Sequence, residues 1–172
     1  PIIPDMSIYN TINMLSTFYR KEEAIDCLDL NVNYDEMIND TVLLSKAFKE
    51  LGIKKGDIIS VSMPNFYQGV IVYLAANRIG AVTTFINSMS SIEEVLGYLN
   101  EFESSLFINF DKDSEYNKKI KDNSKVKNII TLNKDGSLRG KGGLKEAEGI
   151  AFAKKLEEAG VDMIQVAQAN HT

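Results

Sequence analysis

The chain has 172 residues, of which 44% are hydrophobic and 25% are charged, and its formal net charge is −5. This composition is typical of a globular domain and argues against a disordered or membrane-embedded chain. One cysteine and one histidine exclude an intramolecular disulfide and a metal site built from Cys and His alone.

The first predicted elements are a strand and a capped helix. Residues 24–32, AIDCLDLNV, alternate loosely between apolar and polar side chains and predict one strand. Asn33 follows, and Glu36 stands three residues later, which is the capping-box pattern of a helix start. The apolar spacing beyond it predicts a helix to about Leu51. Gly52 is expected to end that helix, because glycine readily adopts a positive φ.

The next elements form a strand–helix–strand unit. Residues 58–63, IISVSM, are rich in β-branched side chains and predict a strand, which Pro64 interrupts. Residues 66–79 are apolar on almost every side and predict a largely buried helix that stops at Gly80. The run AVTTFI at residues 81–86 predicts the strand that follows this helix.

Helix and strand patterns continue to alternate after this unit. Ser91 and Glu94 repeat the capping pattern before a short helix. The segments 105–110 and 126–132 predict strands, and the polar, basic segment 111–124 between them predicts one exposed helix with a loop. This alternation predicts the α/β class, with a mostly parallel sheet flanked by helices and with right-handed crossovers.

The composition changes close to the C-terminal end. Glycine and lysine cluster in residues 134–145, and this segment is interpreted as a linker or seam. It would join a domain at residues 1–133 to a fragment at residues 146–172. Within the tail, residues 144–160 predict a helix and residues 161–169 predict a strand.

Residue types that usually carry chemistry are scarce, and no catalytic or metal-binding residue is assigned. His171 stands next to the last residue, which suits a chain end better than a catalytic base. Cys27 is expected to be a buried strand residue, because Asp26 and Asp29 oppose formation of a thiolate. The glycines of residues 138–146, LRGKGGLKE, favour a flexible joint over a phosphate site, because they lack the GxxxxGK[ST] spacing.

One block of the sequence is more specific than any of these features. Its pieces, in order, are NYDEM, LGIKKGDIISVSMPN, AANRIGAV, FINSMSSIEEVLGYL and SLFINFD. Together they resemble the N-terminal part of AMP-forming acyl-CoA synthetases, of the adenylate-forming ligase superfamily, over about residues 5–133. The resemblance implies a ligase of fatty acid metabolism in which a carboxylic acid attacks the α-phosphate of Mg-ATP. Coenzyme A then displaces AMP from the acyl-adenylate.

The resemblance does not extend to the parts that carry this reaction. The family's phosphate loop, its nucleotide contacts and its catalytic lysine belong downstream, and no stretch of this chain resembles them. No catalytic residue is therefore carried over, the cofactor-binding residues are unknown, and no cofactor is predicted for this chain, although the family uses ATP, Mg²⁺ and coenzyme A. The residues that match the family's pieces are interpreted as turn, strand end and helix stop: Gly56, Asp57, Pro64, Asn65 and Gly80.

The tail resembles a different family. Residues 142–172, from GGLKEAEG to the end, are similar to one helix–strand unit of flavin oxidoreductases of the old yellow enzyme type, which are α/β barrels. A barrel needs eight strands to close, and this unit offers one. The two resemblances predict a composite chain, from a fused, frameshifted or misassembled gene, that is inactive alone because the phosphate loop and catalytic lysine are missing.

Several alternatives remain open at this point. The chain could work with a second chain that carries the missing adenylate site, it could be a non-catalytic α/β interaction module, or it could be a fragment of an FMN-dependent oxidoreductase. Self-association is expected, because a truncated domain leaves apolar faces uncovered. No nucleic-acid partner is expected from the basic runs, which contain few aromatic residues. No membrane span and no secretory signal are predicted, so the expected location is cytoplasmic.

Overall fold

A computed structural model describes residues 6–27 and 30–132 of the chain. Within these ranges it contains five helices and six strands. In chain order the elements are α1 (Ile8–Ser16), β1 (Glu23–Cys27), β2 (Leu30–Asn33), α2 (Tyr34–Glu50), β3 (Ile58–Ser62), α3 (Tyr67–Ile79), β4 (Val82–Phe85), α4 (Ile92–Glu101), β5 (Leu106–Phe110), α5 (Ser114–Asn123) and β6 (Asn128–Leu132).

Four of the strands form a parallel sheet in the order β4–β3–β5–β6. In register, Ile59 of β3 pairs with Thr83 on one side and with Leu106 on the other, and Leu106 pairs with Asn128 of β6. The predicted α/β class with a mostly parallel, helix-flanked sheet is therefore confirmed. The connection from β3 leads to β4 on one side of the sheet, and the connection from β5 leads to β6 on the other side. The strand order therefore reverses between the neighbouring strands β3 and β5.

The predicted helix starts are held by side-chain caps. Asn33 Oδ1 accepts a hydrogen bond from the backbone N–H of Glu36 at 3.0 Å, and the Glu36 carboxylate accepts one from the N–H of Asn33 at 2.9 Å. The same reciprocal pair joins Ser91 and Glu94 at the start of α4. Each box satisfies two N–H groups that have no partner inside the helix.

The end of α3 shows why a glycine is required at that position. Gly80 has a φ of 76° in the left-handed region, and its N–H bonds to the carbonyl oxygen of Asn77. Its own carbonyl oxygen accepts the N–H of Gly56 at 2.9 Å, so the turn before β3 lies against the helix end. A Cβ at position 80 would come within 2.9 Å of Lys55 Cγ. Both the dihedral angle and the close approach favour glycine.

The sheet lies between two layers of helices, each with its own hydrophobic core. On one face, Leu106 and Ile108 of β5 pack in the core that includes α1, α2 and α3. Between them in sequence, Phe107 points to the other face and packs with Val95 of α4 and Ile120 of α5. This period of two is what a strand buried on both faces requires.

A buried polar triangle fastens α5 to the second face of the sheet. Asn109 Nδ2 donates to Asn117 Oδ1, Asn117 Nδ2 donates to Thr131 Oγ1, and the Thr131 hydroxyl donates to Asn109 Oδ1, each at 2.8 Å. All three residues are at most 2% exposed. Because each side chain satisfies the next, the triangle fixes how α5 sits on β5 and β6 without leaving these groups unpaired.

The single strand predicted for residues 24–32 is wrong. β1 and β2 form a separate two-stranded antiparallel sheet, in which Ile25 pairs with Val32 and Cys27 pairs with Leu30. A loose alternation of apolar and polar residues does not distinguish one long strand from two short ones that pair with each other. The exposed helix predicted in residues 111–124 is confirmed as α5, and Asp113 caps it.

The sequence pattern does not predict α1, which precedes the first predicted strand. Its segment contains asparagine and threonine, which have low helix propensity. Ser7 caps the helix, and the N–H of Tyr9 donates to Asn77 Oδ1 at 2.9 Å. Arg78 lies over the Tyr9 ring, 5.5 Å from its centroid. Packing against α3 therefore stabilises a helix that propensity alone does not favour.

Three further predictions fall on residues beyond the two described ranges. These are the linker at residues 134–145, the helix at residues 144–160 and the strand at residues 161–169, and they stay predictions. In residues 6–27 and 30–132, no helix is both long enough and apolar enough to cross a membrane.

Candidate functional site

An apolar groove of about 600 Å³ lies beside the first turns of α3, at the carboxyl ends of β3 and β4. β1 forms one wall, and the β3–α3 connection, α3 and β4 form the rest. Its lining residues are Ile25, Asp26, Cys27, Met63, Pro64, Asn65, Phe66, Tyr67, Gly69, Val70, Tyr73 and Phe85. The volume is within the range of small-molecule sites, and the lining is mostly apolar.

Two features of the local sequence open this groove. Pro64 stands two residues after the end of β3, and its carbonyl oxygen accepts the N–H of Phe66 at 2.8 Å, which turns the chain sharply into α3. Gly69 then leaves room on the helix surface. A Cβ at this position would lie 3.7 Å from Met63 Sδ and 3.8 Å from Phe85 Cε1. These are ordinary van der Waals distances, so a Cβ at position 69 would contact Met63 and Phe85 without a clash.

Two aromatic rings meet where the strand order reverses. Phe66, after β3, and Phe110, at the end of β5, have ring centroids 5.1 Å apart and planes inclined by 68°. This edge-to-face geometry is favourable for aromatic pairs. Open α/β sheets commonly bind ligands in the crevice at such a reversal. Here Phe66 also lines the apolar groove, so the reversal point lies next to it.

The polar groups of the groove are few, and one is engaged inside the fold. The Tyr67 hydroxyl donates to Asp40 Oδ2 of α2 at 2.9 Å. Burial, followed by the negative charge of Asp40, raises the pKa of Tyr67 well above its usual value, so this phenol is neutral and acts as a donor. The Asp26 carboxylate is exposed at the rim.

No lysine, arginine or histidine is among the groove-lining residues that the structure describes. Phosphate and carboxylate groups bind where cations or convergent N–H groups offset their charge. The apolar groove therefore suits apolar surface, and its described side chains offer no cation to a charged group. In residues 6–27 and 30–132, no cluster of three or more His, Cys, Asp or Glu side chains could hold a metal ion.

Cys27 does not have the buried position predicted for it. It is partly exposed in the wall of the apolar groove, and its thiol makes a long contact of 3.8 Å to the carbonyl oxygen of Asn65. The expectation is wrong because β1 belongs to the separate two-stranded sheet, whose groove side no helix of residues 6–27 and 30–132 covers. Asp26, its neighbour in sequence, is exposed at the rim of the same groove.

The residues that match the acyl-CoA synthetase pattern have the structural roles expected of them. Gly56, with a φ of 88°, belongs to the turn before β3, and Asp57 Oδ2 accepts the N–H of Lys54 at 2.8 Å in the same turn. Pro64 and Asn65 follow β3, which ends at Ser62, and both line the groove. His171 and the glycine-rich residues 138–146 lie outside the described ranges.

Sequence reasoning did not identify the apolar groove as a site. The available signal is the helix of residues 66–79, which is apolar on nearly all sides. One face of a sheet covers only part of a helix surface. Val70 is accordingly 40% exposed, and Tyr73 is half-buried. An apolar helix flanked by a short β-hairpin predicts a surface of this kind.

Comparison with known proteins gives a family match over residues 17–171, to the family described as AMP-binding enzyme. The acetyl-coenzyme A synthetase of Escherichia coli strain K12 is 35% identical over 82 residues, which are 48% of this chain and 13% of that enzyme. The match thus spans a small part of the relative's length. The family match includes most of the tail, and the similarity of residues 142–172 to flavin oxidoreductases receives no support from these relatives.

Solved structures show the same fold. Coronafacic acid ligase from Pectobacterium brasiliense superposes with a TM-score of 0.72 at 22% identity, over 85% of this chain and 29% of the ligase. The anthranilate CoA ligase AuaEII, solved in complex with anthranoyl-AMP, gives a TM-score of 0.74 at 14% identity, over 91% of this chain and 28% of that one. At these identities the likeness concerns the fold alone.

Proposed function

Because the chain belongs to the AMP-binding enzyme family, we propose that it is the N-terminal part of an ATP-dependent carboxylate–CoA ligase. Such a ligase converts an acid, ATP and coenzyme A into acyl-CoA, AMP and pyrophosphate. The observation that carries the proposal is the family match over residues 17–171. The likeness of the fold to two solved ligases supports it.

The described part of the chain acts as scaffold in this proposal. Adenylation needs groups that hold phosphates and offset developing charge, because a carboxylate becomes a good acyl donor only when AMP is its leaving group. Among its described lining residues, the apolar groove has no cation to offset phosphates and one carboxylate, Asp26, to hold a metal ion, so its side chains do not fit ATP with Mg²⁺. We therefore derive no chemical step from it and propose that the chain alone activates no acid.

A second candidate is a non-catalytic interaction module. The observation that favours it is the same groove, which is apolar, open and bordered by the edge strand β4. A module of this kind would fold cooperatively and bind no nucleotide. The FMN-dependent alternative depends on residues 142–172, outside the described ranges, and no described residue favours it.

The reaction and its setting also belong to the proposal. A role in fatty acid metabolism follows from the family resemblance, and the acyl substrate is left open. A reducing compartment such as the cytoplasm suits a chain whose single cysteine is partly exposed, at Cys27.

ATP–pyrophosphate exchange tests the proposal directly. The purified 172-residue chain is expected to give no exchange above background with acetate, benzoate or a longer acid. The E. coli acetyl-coenzyme A synthetase, with acetate, is the positive control. Exchange by the chain alone would show that it holds an adenylate site and would overturn the scaffold role. Exchange that appears only when the chain is mixed with a polypeptide carrying the rest of the ligase fold would support it.

A further inference from the structure

We propose that the outer face of α1 is a dimerisation surface, which binds the same face of a second copy of this chain. This outer stripe is formed by Ile8, Met14, Leu15, Phe18 and Tyr19, which are all exposed. The two copies of α1 would pack antiparallel about a two-fold axis. The inference goes beyond the proposed ligase function and does not depend on it, because none of these five residues lines the apolar groove.

α1 carries apolar side chains on two faces. Tyr9 is buried, and Ile12 packs beside it against the core that α1 shares with α2 and α3. Ile8 and Leu15 stand two helical turns apart, and Phe18 follows Leu15 by three residues, so these three share a second face. The N–H of Phe18 bonds to the carbonyl oxygen of Leu15 at 3.3 Å, which continues the helical path beyond the last turn. The helix therefore buries one apolar face and leaves the other exposed.

The outer stripe is large enough for a dimer contact. Residues 6–19 hold six of the eleven large apolar side chains that are exposed in the described ranges, and Phe18 is 81% exposed. A large side chain offers about 200 Å² when fully exposed, so the five residues present on the order of 600 Å² per copy. A specific interface buries about 600–1,000 Å² per partner. A concentration of apolar surface on one side marks an interaction surface, whereas scattered single residues do not.

Charge favours a second copy over a charged partner. Residues 6–19 contain no Asp, Glu, Lys, Arg or His, although 25% of the chain is charged. Where charges begin, Arg20 Nη1 and Lys21 Nζ lie 2.7 Å and 3.1 Å from the carboxylate oxygens of Asp35, so these groups pair within one copy. A two-fold contact brings a surface patch against itself. An uncharged stripe can do this without like-charge repulsion, and it offers an acidic or basic partner no ion pair.

A lipid surface fits the outer stripe less well than a second copy does. Helices that lie on membranes combine an apolar face with a polar face rich in lysine and arginine. The polar side of α1 carries asparagine and threonine instead. Arg20 and Lys21 follow the helix, but Glu22, Glu23 and Asp35 accompany them, so two cations stand against three carboxylates. An anionic membrane would find no net positive charge here.

The two ends of α1 favour antiparallel packing. Arg20 and Lys21 follow its C-terminal end, and parallel packing would place these cations beside those of the second copy. Antiparallel packing separates them by the length of the helix, and it also sets the two helix dipoles in the favourable orientation. Ile8 and Phe18 stand near opposite ends of the outer stripe. In an antiparallel dimer, Ile8 of one copy therefore lies near Phe18 of the other.

Sedimentation velocity of the 172-residue chain tests the surface. The wild type is expected to shift from monomer to dimer between about 1 and about 100 µM, as suits an interface of this size. Phe18→Glu should raise the dissociation constant of the dimer at least about a hundredfold, because each copy loses an aromatic anchor and gains a charge. Phe85→Glu is the matched control. Phe85 is also exposed, at 57%, but it lies on β4, so this variant should dimerise like the wild type.

A pair of complementary variants tests the orientation. Ile8→Lys and Phe18→Glu are each expected to be monomeric, whereas an equal mixture of the two should form a heterodimer. The introduced lysine would meet the introduced glutamate across the antiparallel contact. A mixture that stays monomeric would reject this contact. Circular dichroism and thermal melting show whether the variants remain folded, and Leu15→Glu replaces Phe18→Glu if that variant does not.

Other outcomes would overturn the inference. These are a wild-type chain that stays monomeric up to about 100 µM, a concentration at which such an interface should form dimers, and equal effects of Phe18→Glu and Phe85→Glu. Dimers lost only in Phe85→Glu would assign self-association to the apolar groove. A monomer that binds vesicles of phosphatidylcholine and phosphatidylglycerol, and loses this binding in Phe18→Glu, would assign the outer stripe to a lipid surface. A monomer whose α1 amides exchange as slowly as those of α3 would assign it to another segment of the same chain.

Discussion

The hydroxyl of Tyr67 donates a hydrogen bond of 2.9 Å to the carboxylate of Asp40. The bond joins the first turn of α3 to the middle of α2, and Tyr67 is only 3% exposed. Because α3 also forms a wall of the apolar groove, this contact holds the groove wall against the core. Its strength can be measured without reference to any activity.

Tyr67→Phe is expected to lower the free energy of unfolding by about 1.5 kcal/mol, the usual cost of losing a hydrogen bond to a charged group. The ring still fills its place in the core, so the loss reports the hydroxyl and not a cavity. Urea denaturation followed by circular dichroism at neutral pH measures the change. Tyr19→Phe, on a side chain that is 58% exposed, should change the stability very little. A neutral result for both variants would mean that the bond to Asp40 contributes nothing.

The same contact predicts a loss of stability at alkaline pH. Burial and the charge of Asp40 raise the pKa of Tyr67 in the folded protein above its unfolded value. The folded state therefore holds the proton more tightly, and the stabilisation is complete below about pH 10, where the unfolded tyrosine is neutral. It decreases as the pH rises above that value. Urea midpoints between about pH 8 and about pH 11 should fall more steeply for the wild type than for Tyr67→Phe. Parallel slopes would contradict the shift.

Gly80→Ala is expected to destabilise the fold by about 1–2 kcal/mol, because alanine in the left-handed region is strained. The new Cβ would also press on the side chain of Lys55. Gly97→Ala is the matched control. Gly97 lies inside α4 with no atom within 4 Å of the added Cβ, so alanine should stabilise the helix by about 0.5–1 kcal/mol. Thermal melting of both variants gives the comparison, and equal effects would refute the assigned conformation.

Thr131→Val tests the buried polar triangle. The substitution keeps the shape of the side chain but removes the donor for Asn109 Oδ1 and the acceptor for Asn117 Nδ2. The free energy of unfolding should fall by about 2 kcal/mol, because two buried polar groups lose a partner. Thr83→Val, on the half-buried edge strand β4, should change it by less than about 0.5 kcal/mol. Hydrogen exchange should increase mainly in α5, which the triangle fastens to the sheet.

Features that depend on neighbours in sequence could be predicted without a structure. Asn33 and Glu36 identify a helix start because both hydrogen bonds of a capping box join residues three apart. Gly80 marks a helix end because one residue must take a positive φ. The alternation of such helices with β-branched segments was sufficient for the α/β class, which the observed sheet confirms.

The groove could not be predicted in the same way. Its surface is assembled from Cys27, Phe66, Val70 and Phe85, which stand on four different segments of the chain. Whether Cys27 is buried depends on which element covers β1, and in the described part of the chain Cys27 is left partly exposed. The helix α1 could not be predicted for the same reason. It is stabilised by packing of Tyr9 against α3, which outweighs the weak helix propensity of its own residues.

The sequence by itself determined the class of the fold, the starts and ends of most helices, and the family. These properties depend on hydrogen bonds between residues close in sequence, on the periodic spacing of apolar residues, and on the order of the short segments that resemble the family. Only the tertiary structure decided that β4 is an edge strand and that the polar triangle closes. It alone also showed that Val70 and Phe85 stay exposed beside the groove. The physical reason is that burial of side chains and pairing of strands involve segments far apart in sequence. These contacts contribute to stability only when the sheet has assembled.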